Sequence, residues 1–272
     1  MEGQGRHNLA PPFTRAPSKP SQTSLGRYDM RMQKQGSGAV TMTEQHMIDD
    51  DTLAGIAFVG KTLGPLFTCD PLLARDRVGA LYMTLAHSDA HALSEEWPFV
   101  SSDEARGPLE AMVNGADRFE ETLAVDDESL AAVPGLAAEY RRLFVGPAKK
   151  AAAPWGSVYT DKDQVVFGAS TLALRDWLRT SGVEVHREGG EEPEDHIGTM
   201  LELMAWLAEN RPELLDEYLR LHLLTWAPHF LTLMQGATTS DFFTGLAALT
   251  RSTLLGIQDA LSLDVVEPRF YR

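Results

Sequence analysis

An all-α fold is predicted by three features of this 272-residue chain. Apolar residues recur at helical spacing from about residue 50 onward, strand-like alternation is scarce, and start and stop signals bracket the apolar stripes. Leu53, Ile56, Ala57, Gly60, Leu63 and Phe67 share one face of a first helix, and Leu109, Met112, Val113, Ala116, Phe119 and Leu123 share one face of a second. The span from Pro193 to Asn210 carries the fullest signals. Pro193 suits a first turn, where its missing N–H costs nothing, and Glu191, Glu192, Glu194 and Asp195 oppose the positive end of the helix dipole. Ile197, Met200, Leu201, Met204, Leu207 and Ala208 then form the buried stripe, and Arg211-Pro212 ends it. A last helix is expected over Ser240–Leu261 with Phe243, Leu246, Ala247, Leu254, Ile257 and Leu261 inward. Gln164–Phe167 is the one run that tempts a strand assignment, and it is too short to found a sheet.

Residues 1–44 are rich in Pro, Gly, Ser, Gln and Thr without an apolar period, so they cannot offset chain entropy by burial and are expected to be a disordered tail. No apolar run follows the early arginines, unlike a secretory leader. Residues 45–272 are expected to form one helical domain. Gly146-Pro147, Lys149–Pro154 and Glu188–Glu192 are its main non-helical joints, with a hinge near 146–154.

Charge narrows the function classes. The net charge is −15, and the imbalance is uneven: residues 1–41 hold six basic and two acidic side chains, leaving 18 basic and 37 acidic in the rest. A body this acidic disfavours nucleic acid and anionic membrane surfaces and attracts cationic partners. No apolar window reaches the roughly 18 residues of a membrane span. A single cysteine, Cys69, excludes an internal disulfide and suits a reducing compartment.

Signals for an enzyme are weak. His87 and His91 stand four apart on an expected helix but lack the glutamate of a zinc hydrolase motif and a third ligand. Gly146–Lys150 lacks the glycine spacing of a phosphate loop, and Ser157 lacks a nucleophile elbow. Asp195-His196 reads more simply as a capping pair than as an acid–base pair. Arg141-Arg142 sits mid-chain on a helix whose Tyr140, Leu143 and Phe144 point inward. No catalytic residues, metal ligands or cofactor-binding residues are therefore assigned.

Three segments carry a family resemblance: Tyr-Arg-Arg-Leu-Phe-Val-Gly-Pro at 140–147, Pro-Trp-Gly-Ser-Val-Tyr at 154–159 and Glu-Pro-Glu-Asp-His at 192–196. In this order and near these spacings they resemble the DmsD/TorD family of chaperones that mature molybdenum redox enzymes. Val166-Phe167-Gly168, Ser170–Arg175, Ala205–Asn210, His222-Leu223 and Pro268-Arg269-Phe270 extend the likeness, which is greatest to the DmsD branch. The resemblance implies an all-helical globule that acts in the cytoplasm without metal, cofactor or catalysis. Its partner would be the twin-arginine leader of a molybdoenzyme catalytic subunit of the dimethyl sulfoxide reductase type. Export, and any contact with the export machinery at the membrane, would wait until cofactor insertion.

Carried over by position, the family's binding residues match Tyr140, Phe144, Pro154, Trp155, Pro193, Asp195 and His196. The physical requirement is an apolar groove with anions at one end. Trp155, Tyr159, Phe144 and Tyr140 are the candidate aromatic lining, and Asp195 with Glu192, Glu194 or Glu202 the candidate anions. Where DmsD proteins commonly have tryptophan, this chain has Tyr140 and Ala148, and the usual proline doublet is Ala153-Pro154. Those departures bear on which client is bound. Other readings are a chaperone for a nitrate, formate or polysulfide enzyme, and a small metal-dependent hydrolase built on Asp195-His196 and the His87/His91 pair.

Overall fold

The computed structural model describes residues 13–15, 48–116, 119, 135–145, 150–185 and 193–272. The chain is all-α. Its helices are α1 (Asp50–Thr68), α2 (Arg75–Ala86), α3 (Ala90–Glu96), α4 (Ser102–Ala116), α5 (Gly135–Phe144), α6 (Ser157–Thr160), α7 (Ala169–Ser181), α8 (Ile197–Asn210), α9 (Leu215–Tyr218), α10 (Ala227–Ala237) and α11 (Asp241–Ala260). A π-helical turn, Leu219–Leu223, continues α9. Two three-residue strands, β1 (Phe13–Arg15) and β2 (Val183–Val185), pair antiparallel, and the rest of the expected tail lies outside the described residues. Residues 146–149 of the expected hinge lie outside them too. Gln164–Phe167 is a loop in which Gln164 (φ 51°) and Phe167 (φ 66°) take left-handed backbone.

Local chemistry sets the helix limits. Asp49 starts α1 by accepting from Thr52 N, and its stripe of Ile56, Ala57, Leu63 and Phe67 is buried. Gly60 lets α1 lie directly on α8: a Cβ there would stand 2.3 Å from Leu201 O. A second layer is α4 against α11, joined by Leu109, Met112, Phe242, Phe243 and Leu246, all essentially inaccessible. Phe67, Tyr140, Phe144, Phe230 and Phe243 link the two layers through ring contacts of 5.0–6.5 Å.

Two sequence expectations are corrected. The helix expected from Pro193 begins at Ile197, because His196 is the cap and Pro193–His196 instead form a turn paired to Trp155. His87 and His91 do not share a helix: α2 ends at His87, and Asp89 accepts from His91 N and Ala92 N to start α3. The ring of His87 turns back to Met83 O (2.8 Å).

Among the described residues, no three His, Cys, Asp or Glu side chains gather as a metal site. No helix among them is long and apolar enough to cross a membrane.

Candidate peptide-binding site

Two short extended segments, distant in sequence, meet side by side. Ile197 N donates to Pro154 O (2.8 Å), Gly156 N donates to Asp195 O (3.1 Å), and Trp155 forms a bridge pair with His196. Proline at 154 and at 193 keeps both approaches extended. Glycine at 156 is needed because the backbone passes against the Trp226 indole, where a Cβ would stand 2.7 Å away. This pairing brings Pro154, Trp155, Pro193, Asp195 and His196 together.

Asp195 is the buried centre, 2% exposed. Its Oδ2 accepts from Ser157 N (2.7 Å) and lies 3.5 Å from the Ser170 hydroxyl, so it serves the starts of α6 and α7 rather than the dipole of α8. Burial pushes its carboxyl above the usual range, against the opposing pull of the Ser157 N–H and the neighbouring Thr171 and Ser157 hydroxyls. Asp195 Oδ1, the Ser157 and Thr171 hydroxyl oxygens and Trp155 Nε1 are all enclosed without a close hydrogen-bond partner among the described residues, so the two hydroxyls are the donors nearest at hand for the carboxylate.

His196 is 3% exposed, and its Nδ1 accepts from Gly198 N (3.2 Å). That bond requires a lone pair on Nδ1, which fixes the proton on Nε2 in the neutral ring. The half-buried Trp155 ring meets the imidazole edge to face at 6.0 Å.

Tyr140, Phe144 and Tyr159 lie apart from this cluster, inside the core. Tyr140 donates to Phe67 O (3.0 Å) and packs with Phe144 on Phe243. Tyr159 is inaccessible, stacks with Trp226 at 6.1 Å and donates to Ala153 O (2.7 Å). Behind it, Tyr271 N donates to Tyr159 O, and Gln164 Nε2 donates to Tyr271 O, so the C-terminal segment ties the 161–168 loop to the core. Of the candidate anions, Glu202 turns to α1, accepting from Thr68 Oγ1, and Glu192 lies outside the described residues. Glu194 stands beside Asp195 at the surface, paired with Arg175.

Sequence reasoning missed the ring of groups around these carboxylates: Ser157, Ser170 and Thr171 at Asp195, and Phe167 and Arg175 near Glu194. A serine–threonine pair opening a helix was the available signal, but no spacing tells that α7 starts against residue 195. Val165, Val166 and Phe167, in the loop before α7, and Leu172 on α7 are large exposed apolar side chains. An open cavity of about 590 Å³ lies away from this cluster, bordered by Leu53, Phe58, Lys61 and Glu209.

A family model described as the nitrate reductase delta subunit matches residues 108–232. The Tat proofreading chaperone DmsD of Salmonella typhi is 36% identical over 216 residues, 79% of this chain and 95% of that protein. The probable Tat proofreading chaperone DmsD of Haemophilus influenzae is 50% identical over 134 residues, 49% of this chain and 66% of that protein. The chaperone protein TorD of Vibrio cholerae is 33% identical over 135 residues, 45% of this chain and 59% of that protein. These relatives are named as chaperones, members of a family that is not enzymatic. The chain belongs to the DmsD/TorD family.

Proposed function

We propose that this chaperone binds the twin-arginine signal peptide of a molybdoenzyme catalytic subunit, of the dimethyl sulfoxide reductase type, and delays its export until cofactor insertion and folding are complete. It works in the cytoplasm and hands the client to the export machinery. One observation carries the reading: Trp155, Asp195 and His196, distant in sequence, meet in a paired-segment cluster, and Glu194, next to Asp195 in the chain, presents a partly exposed carboxylate that already holds an arginine. A leader supplies the complement, guanidinium donors followed by an apolar stretch. The names of the Salmonella and Haemophilus relatives support the Tat assignment.

Pro154, Trp155, Pro193, Asp195 and His196 form the proposed contact region; Tyr159 supports its approach through Ala153, and Tyr140 and Phe144 serve the core. Trp155→Ala is expected to weaken binding of a twin-arginine leader peptide by about 1–3 kcal/mol, the range of an interface anchor. Asp195→Asn is expected to do the same while circular dichroism reports a retained fold. Calorimetry checks both, and unchanged affinity in the two folded variants removes these residues from the site.

A second client reading, a nitrate-type enzyme, is favoured by the description of the matching family model. Co-purification from the native host distinguishes them by the subunit recovered.

A further inference from the structure

We propose that Arg175 is a resident competitor that occupies, in the free chaperone, the place taken by one arginine of the bound leader. This inference rests on the leader-binding reading and names a recognition contact within it.

The geometry is that of an arginine site already filled from the same chain. Arg175 Nε donates to Glu194 Oε2 at 2.5 Å, and its guanidinium carbon lies 5.1 Å from the centre of the Phe167 ring. A carboxylate on one side and an aromatic face on the other are the two features by which proteins recognise a guanidinium rather than an ammonium. Phe167 holds its ring there from a left-handed backbone at φ 66°, a conformation that a bulky side chain adopts only when its surroundings impose it. The pair is accessible, with the Arg175 side chain 42% and the Glu194 side chain 22% exposed. Partly exposed ion pairs are held weakly, so displacement costs little.

Its surroundings specify the occupant. Val165, Val166, Phe167 and Leu172 are exposed, and Glu194 directly precedes Asp195 in the chain. Exposed apolar side chains on either side of the Phe167–Arg175 contact in sequence, with the Glu194 carboxylate beside Arg175, on a body with 37 acidic and 18 basic side chains after residue 41, are complementary to an apolar segment preceded by arginines. When the leader's guanidinium takes Glu194 and Phe167, Arg175 swings into solvent, and the apolar stretch of the leader covers the 165–172 surface.

The test is calorimetric titration of a synthetic twin-arginine leader peptide into the full chain. Arg175→Gln is expected to raise affinity about three- to tenfold, the gain from freeing a site that is otherwise occupied about 70–90% of the time. Glu194→Gln and Phe167→Ala are expected to lower it about tenfold. Arg179→Gln, which removes the neighbouring Arg179–Asp176 pair on the same helix, is expected to leave it unchanged. If the wild-type chain binds the leader and Arg175→Gln binds equally or more weakly, the competitor role is overturned while the chaperone function stands. If the wild-type chain does not bind the leader, both are overturned.

Discussion

Arg142–Glu139 and Arg175–Glu194 are chemically the same ion pair in opposite surroundings. Arg142 grips Glu139 through two nitrogens, at 2.6 and 2.7 Å, and the carboxylate also accepts from Thr238 Oγ1 and Thr239 N. Burial pushes the Glu139 carboxyl up, but these donors outweigh it and hold its pKa down at about 2. Arg142 also donates to Ala237 O, so the pair fastens α5 to the junction of α10 and α11. Arg175 reaches Glu194 through one nitrogen at the surface, beside a ring and an apolar patch. Equal charges thus make a clamp where the acceptor is enclosed and its oxygens are satisfied, and an exchangeable contact where they are not.

Neutralising each acid breaks the comparison open. Glu139→Gln is expected to destabilise the fold by about 3 kcal/mol, because it strands hydrogen-bonding partners in the interior. Urea unfolding measures this as a lower midpoint at unchanged slope.

Acid unfolding sharpens the contrast. The Glu139 contribution is present above its ordinary pKa of 4.5 and is lost as pH falls toward about 2. His222 acts in a different window: burial lowers its pKa from 6.5 to about 4, so the unfolded chain takes up this proton first and stability falls between those values. His222→Phe is expected to remove that loss, about 3 kcal/mol by pH 4, leaving the lower window to Glu139. Unfolding midpoints at pH 7, 5 and 4 would show it, and an unchanged slope between pH 6.5 and 4 would exclude His222. The smallest stability effect belongs to Glu194→Gln, at about 0.5 kcal/mol or less. A loss as large as that for Glu139→Gln would make both pairs clamps.

Regular helices were legible in the sequence because apolar period and breakers agree over α1, α4 and α11. The start of α8 was not. Pro193 and the surrounding acids look like a first turn, yet the Trp155 segment captures that backbone, a pairing 41 residues apart for which no local signal exists. The same non-local contact redirects Asp195 from its own helix to Ser157. Within the candidate site, Pro154, Trp155, Pro193, Asp195 and His196 came from the resemblance, and the structure brings them together. Aromatic type alone could not separate Trp155, half-buried at the paired segments, from Tyr140, Phe144 and Tyr159 in the core. Those rings satisfy their hydroxyls on backbone carbonyls or stack deeply, which depends on the final packing.

Hydrogen–deuterium exchange of the chain with and without a twin-arginine leader peptide tests the location of binding most directly. Added protection is expected in 154–157, 163–175 and 193–196. Protection confined to the cavity beside Phe58 and Lys61, or found nowhere in the chain at saturating peptide, would contradict the account.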